Sequence, residues 1–196
     1  MKPISKSKSA HALVLAIALA SAGCSTQWIN IALQDLPVLT QMALNLANLV
    51  SVLASGKQAS AAETAVIQNI SVQASRDLNL LQSLCADYKS SRSSATLQKI
   101  QEVTADLNRN VPALLQSAHI ANPVLSARVA AAVNLILSTV NSLASLMPQN
   151  APATSRIAEQ AQLPSASELK RQWNQQVCAP TGNFALDAAF EQSIIR

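Results

Sequence analysis

The chain has 196 residues, of which 49% are hydrophobic, 3% aromatic and 12% charged, and its formal net charge is +4. Three of the 14 basic residues and none of the 10 acidic residues precede residue 24, so the net charge after that point falls to +1. A nucleic-acid-binding surface needs clustered cations, whereas the remaining basic residues are scattered singly apart from Lys170-Arg171. We therefore expect no nucleic-acid partner.

The first 24 residues have the parts of a secretory signal peptide. Three lysines within residues 1–8 precede an uncharged apolar run over 12–22, which leads into Ser-Ala-Gly-Cys at residues 21–24. This tetrapeptide resembles the lipobox of bacterial lipoproteins, although that family prefers Leu where Ser21 stands. The resemblance implies that Cys24 is lipidated on its thiol and becomes the mature N-terminus, held in a membrane.

The same resemblance gives an expected location and organisation. Ser25 follows the anchor, and in enteric lipoproteins a residue other than Asp there is associated with the outer membrane, so we expect a lipid anchor in the outer membrane facing the periplasm. We divide the chain into a signal peptide (1–23), a lipidated tether (24–35) and one helical domain (36–196). Trp28, in the tether, is membrane-proximal, and its indole either rests in the headgroup layer or packs on the end of the domain.

Helix signals dominate the domain, because Leu and Ala are abundant, apolar residues recur at spacings of three and four, and strand patterns are weak. The first helix is predicted over 36–55, with Asp35 as N-cap. Capping boxes at Ser60–Glu63 and Ser165–Glu168 begin the second and fifth helices, which are predicted to end near Lys89 and Cys178.

The third and fourth helices follow the same rules. The third carries an unbroken heptad pattern over 97–118, in which Pro112 predicts a kink or short break after Arg109 and Asn110. Asn122 caps the fourth helix, which is predicted to reach about Met147.

The C-terminal part contains a linker over 148–164, with a turn of helix expected at 155–162, and a short helix over 183–193. Both phenylalanines lie in the terminal tail, so we expect it to fold back onto the body. Short connections between long helices favour an all-α, up-and-down bundle of four long helices plus a shorter fifth helix and this C-terminal tail.

Cysteine usage is consistent with export. Apart from Cys24, the chain contains only Cys85 and Cys178. Disulfides form and persist outside the cytoplasm, so we predict that the two are bonded, with two buried reduced thiols as the alternative.

Catalytic groups are sparse in the mature chain. His119 is its single histidine, and we interpret it as a surface or helix-end residue. Glu102 and Asp106 lie beside Lys99 and Arg109, a pattern typical of a solvated helix face rather than a carboxylate pair. We therefore predict no catalytic residues, no metal site and no cofactor, and a protein that is not an enzyme.

Two of the predicted helices, over 36–55 and 123–147, carry almost no charge. They are the central pair of the bundle, or they present a weakly polar face to a protein partner or a second copy, or they line a cavity for an apolar ligand. A membrane span is disfavoured by the repeated Asn and Gln. We predict a lipid-anchored, non-enzymatic structural or protein-interaction module of the cell envelope, with a carrier of lipid or another hydrophobic ligand as the alternative.

Overall fold

The computed structural model describes residues 8–55, 59–148 and 163–196, and these residues contain six helices and no strand. The helices are α1 (Lys8–Ser55), α2 (Ala61–Ser91), α3 (Ser94–Ser117), α4 (Pro123–Ser145), α5 (Ala166–Gln176) and α6 (Phe184–Glu191). The prediction of an all-α bundle with four long helices is confirmed.

The first helix is much longer than the sequence predicted. It runs for 48 residues through the signal segment and the predicted tether, so the N-cap assigned to Asp35 is wrong. Trp28, Ile29 and Ala32 are buried against the rest of the bundle. No Gly or Pro lies between Cys24 and Asp35, and the burial of side chains in this segment stabilises its helical conformation. The helix is therefore continuous through residues 24–35.

The four long helices form an up-and-down ring in which α1 and α3 each pack on α2 and α4. Two contacts at different heights along the helices show that α1 and α2 are antiparallel. The Ser71 hydroxyl donates to the Ala43 carbonyl at 2.6 Å, and the rings of Trp28 and Tyr88 meet with centroids 5.9 Å apart. The fifth helix packs on α1 and α4, and α6 packs on α1.

The core lies along the periodic stripes of the four long helices. The apolar residues that recur at spacings of three and four along α1, α2 and α4 are buried, whereas α3 buries only the middle of its heptad pattern, from Ile100 to Val111. The buried stripe residues of α1 are Leu39, Met42, Leu46, Leu49 and Leu53. The third helix continues unbroken past Arg109 with Pro112 inside it, so the predicted break is absent. Leu107 and Val111, on the N-terminal side of the proline, keep this stretch packed on its neighbours.

Caps define the other helix ends. Asn122 accepts hydrogen bonds from the amides of Val124 and Leu125, and Ser165 accepts one from the amide of Glu168 at 3.3 Å. The capping box at the start of α2 is complete. The predicted helical turn at 155–162 lies outside the described residues.

One described helix, α4, is long and apolar enough to cross a membrane by length and composition. Its apolar stripe, which includes Leu125, Val129 and Ile136, is buried inside the bundle. A buried core helix and a membrane-spanning helix can have the same length and composition, so these two properties of α4 do not distinguish them.

Candidate functional site: the anchor end of the bundle

The anchor end is the end of the ring that contains Trp28, Tyr88, the connection at 92–93 and Met147. The backbone of Cys24 is helical and lies four residues before Trp28, which is about 6 Å along the axis of α1. The predicted lipidation position is therefore at the outer edge of this end, directly attached to the packed part of the bundle by a continuous helix.

The structure places Trp28 inside the bundle rather than on its surface. Only 2% of the residue is exposed, its ring is tilted by 36° against that of Tyr88, and its Nε1 has no hydrogen-bond partner. The indole therefore packs on the end of the domain and does not extend from the protein towards a headgroup layer. Trp28 lies one helical turn from Cys24, and its closeness to a membrane stays a prediction.

The predicted disulfide between Cys85 and Cys178 is wrong, because both cysteines are free and buried. Cys85 faces the core of the anchor end beside Val140, whereas Cys178 lies beside Trp173, next to Arg128 at the start of α4. Arg128 and Val140 are twelve residues apart on one helix, which is about 18 Å, and a disulfide needs Cα atoms within about 7 Å.

Burial makes both thiols poor nucleophiles. Desolvation raises the pKa of Cys85 to about 12. It raises the pKa of Cys178 to about 11, although a hydrogen bond with Trp173 and the charge of Arg128 act in the opposite direction. The thiolate is the reactive form, so neither cysteine is chemically activated.

Asp35, which the sequence predicted as an N-cap, is instead a buried carboxyl group in the middle of α1. It is 2% exposed, its Oδ2 has no hydrogen-bond partner, and desolvation raises its pKa to about 6. The signal was present in the spacing, since Asp35 lies three residues after Ala32 and four before Leu39, both on the buried stripe. A carboxyl group placed there is held partly neutral by its surroundings.

The polar groups considered for chemistry are scattered over the surface. His119 is exposed in the connection after α3, Arg109 pairs with Asp106 at 2.9 Å, and Glu102 accepts a hydrogen bond from Gln98 at 3.0 Å. Among the described residues, no three His, Cys, Asp or Glu side chains come together in a metal-binding arrangement. The side-chain hydroxyls of Thr40 and Thr104 are buried without partners.

The described interior is filled at the anchor end. Between Trp28, Cys85, Thr104 and Met147 there is a cavity of about 10 Å³, roughly the space of one water molecule. A lipid-binding pocket is usually several hundred Å³. The larger spaces are open grooves on the surface, of which one, of about 520 Å³, lies between α1 and the C-terminal tail.

Between residues 27 and 50, the exposed side chains of α1 form one narrow stripe, here named the amide stripe. Its exposed residues recur at spacings of three and four and none is charged. They are Gln27, Asn30, Gln34, Pro37, Gln41, Leu44 and Asn48. The helix is otherwise buried or half-buried between 27 and 50, so this part of it is central to the bundle and also presents an uncharged face.

Comparisons with known proteins identify no relative. No family model, no curated protein and no solved structure matches the chain.

Proposed function

We propose that this protein is an exported bacterial lipoprotein, anchored by Cys24 to the outer membrane and facing the periplasm, which acts as a non-enzymatic structural or protein-interaction module of the cell envelope. The observation that carries the proposal is the basic, apolar and small-residue sequence that ends in Ser21-Ala22-Gly23-Cys24. The acyl chain binds the membrane, and the bundle binds a protein.

The position of Cys24 supports an anchoring role. It lies at an end of the ring rather than in its middle, so an acyl chain there leaves the sides of the bundle accessible. The nearest described core residue, Trp28, is one turn away.

The filled core favours an interaction module over a carrier. A carrier needs an interior volume close to that of its ligand, and the cavity at the anchor end has about 10 Å³.

The amide stripe favours binding of a protein. Burying amide side chains costs less than burying ions, and Leu44, which is 44% exposed, supplies an apolar contact in the middle of the stripe. A partner helix laid along α1 would cover no charged side chain of that helix between 27 and 50.

Metabolic labelling with a clickable fatty acid tests the anchor. We expect label on the wild-type protein and none on the Cys24→Ala variant. A wild-type protein that is exported but unlabelled would contradict the proposal.

Site-specific photocrosslinking in cells tests the interaction. A photoreactive residue at position 44 should give a discrete crosslinked species. The matched control is position 80 on α2, where Leu80 is 46% exposed but lies half a helical rotation from Ser71, which faces α1. The same species from both positions, or none from position 44, would count against the amide stripe as the binding face.

A further inference from the structure

The connection between α2 and α3 and the predicted lipidation position, Cys24, lie at about the same height along the axis of the bundle. Trp28 packs against Tyr88, and α2 runs antiparallel to α1. From this pair, α1 continues one turn outward to Cys24, and α2 continues three residues outward to its last residue, Ser91. Both paths cover about 5–6 Å. An acyl chain on Cys24 therefore brings the connection at 92–93 to the membrane surface.

This connection is basic and exposed. Lys89, Arg92 and Lys99 all have exposed side chains, and two carboxylates, Asp87 and Glu102, lie at the two ends of this stretch. Residues 87–102 contain three basic and two acidic side chains, so this stretch has a net charge of +1. At the opposite end of the ring, the connection over 118–122 contains no Asp, Glu, Lys or Arg.

No spacer separates the anchor from this surface. The segment that the sequence predicted as a tether is part of α1, and Trp28 and Ile29 are already in the core. The bundle is consequently held within a few ångströms of the leaflet, a distance at which attraction between lysines and anionic lipids is not screened by physiological salt.

We propose that the anchor end, through Lys89, Arg92 and Lys99, docks on the headgroups of anionic phospholipids, so that the bundle is oriented by two contacts, the acyl chain and this basic surface. The inference rests on the proposed lipidation of Cys24. The partner is a lipid surface, because the cations are spread over one end of the bundle and surround no pocket.

The test uses the full protein purified from membranes, with a fluorophore on a Ser90→Cys substitution. Ser90 is exposed whereas Cys85 and Cys178 are buried, so labelling is selective. Intact mass first establishes whether Cys24 is acylated, which tests the proposed function separately. The protein is then added to vesicles of phosphatidylcholine alone or with phosphatidylglycerol, each containing a headgroup-linked quencher.

We expect stronger quenching with phosphatidylglycerol than with phosphatidylcholine alone, because the basic surface adds to the contact that the acyl chain makes with both vesicles, and we expect high salt to remove this difference. Each cation near an anionic surface contributes about five-fold to the docked population, so Lys89→Glu should reduce docking by at least that factor. The matched control is Arg76→Glu, the same charge change at an exposed position of α2 about 20 Å from Lys89. Equal quenching by both vesicles, or equal effects of the two substitutions, would overturn the inference, whether or not Cys24 carries an acyl chain.

Discussion

The Asn45 side chain in α1 donates a hydrogen bond of 2.9 Å to the backbone carbonyl of Ser193, 148 residues away. The Trp173 indole donates to the same carbonyl oxygen at 2.8 Å. One buried acceptor thus joins α1, α5 and the C-terminal tail. Asn45 also accepts from Gln41 and Asn48, so its amide is held in one orientation.

Removing one donor should cost less than removing both, because the Ser193 carbonyl keeps a partner in each single variant. We expect Asn45→Ala to lower the free energy of unfolding by about 1 kcal/mol, and Trp173→Phe to lower it by more, because that substitution also removes part of a fully buried ring. The double variant should lose more than their sum, since the buried oxygen then has neither donor. Urea denaturation of the four proteins measures this, and strict additivity would show that the shared acceptor is not the link.

The two phenylalanines of the tail should behave very differently. Phe190 is fully buried, whereas Phe184 is 89% exposed. Phe190→Ala should destabilise the protein by about 3–5 kcal/mol, and Phe184→Ala should leave the melting temperature almost unchanged. Truncation at Thr181, which removes both, should lower the melting temperature at least as much as Phe190→Ala. A truncated protein that melts like the full chain would mean that the tail is not part of the fold.

Glu63 connects two distant parts of the chain. One carboxylate oxygen accepts from the amide of Ser60 and the other from the amide of Ala121, both at 2.7 Å, and the bonds with Ser60 and then Ala121 lower its pKa to about 2. A carboxyl whose folded pKa is depressed contributes stability that is present above its unfolded pKa of 4.5 and is lost as the pH falls towards 2. We expect Glu63→Gln to cost about 1–3 kcal/mol at pH 7.

The control for Glu63 is Glu168, which occupies the equivalent position of the other Ser-x-x-Glu motif. Its pKa is also lowered to about 2, first by Arg171 and then by Gln172, but both partners lie on its own helix. Glu168→Gln should therefore have a smaller effect at pH 7, measured by the same urea titration. Equal losses would show that the bond to Ala121 contributes no more than the bonds that a carboxylate makes within its own helix.

Asp35 should make the protein less stable as the pH rises. Its folded pKa, about 6, is above its unfolded value of 3.8, so the folded state binds the proton more tightly. The stabilisation is complete below about pH 4 and is lost as the pH passes 6, up to about 3 kcal/mol in total. Asp35→Asn should be more stable than wild type at pH 7.5 and about equal at pH 4. Parallel stability curves from pH 4 to 8 would show that Asp35 does not titrate in this way.

The two mature thiols should be free in the purified protein. Peptide mapping without reductant should recover Cys85 and Cys178 unpaired, and dithiothreitol should leave the melting temperature unchanged, because the structure has no bond to reduce. Their reaction with a thiol reagent should be slow until the protein is unfolded, since both are buried. A linked Cys85–Cys178 peptide would contradict the arrangement of α5 described above.

Local patterns were enough to predict most of the elements. The stripes of α2 and α4, the caps at Ser60 and Asn122, and the turn of the chain after Lys89 depend on side chains within a few residues of one another, and all are in the structure. The prediction of where α1 begins was wrong because it also used only local patterns. Asp35 has the local form of an N-cap, but the burial of Trp28 and Ile29 against α2 favours a continuous helix.

The sequence by itself determined the helical class and the heptad seams, because periodicity and capping are read along the chain, and it is also the source of the prediction that Cys24 ends an export signal. Only the tertiary structure decided that Cys85 and Cys178 lie apart, that Asp35 is buried, and that the basic α2–α3 connection stands level with Cys24. These relationships join residues tens of positions apart. They are set by which helices pack together and in which direction, and that depends on the burial of the whole core rather than on any local pattern.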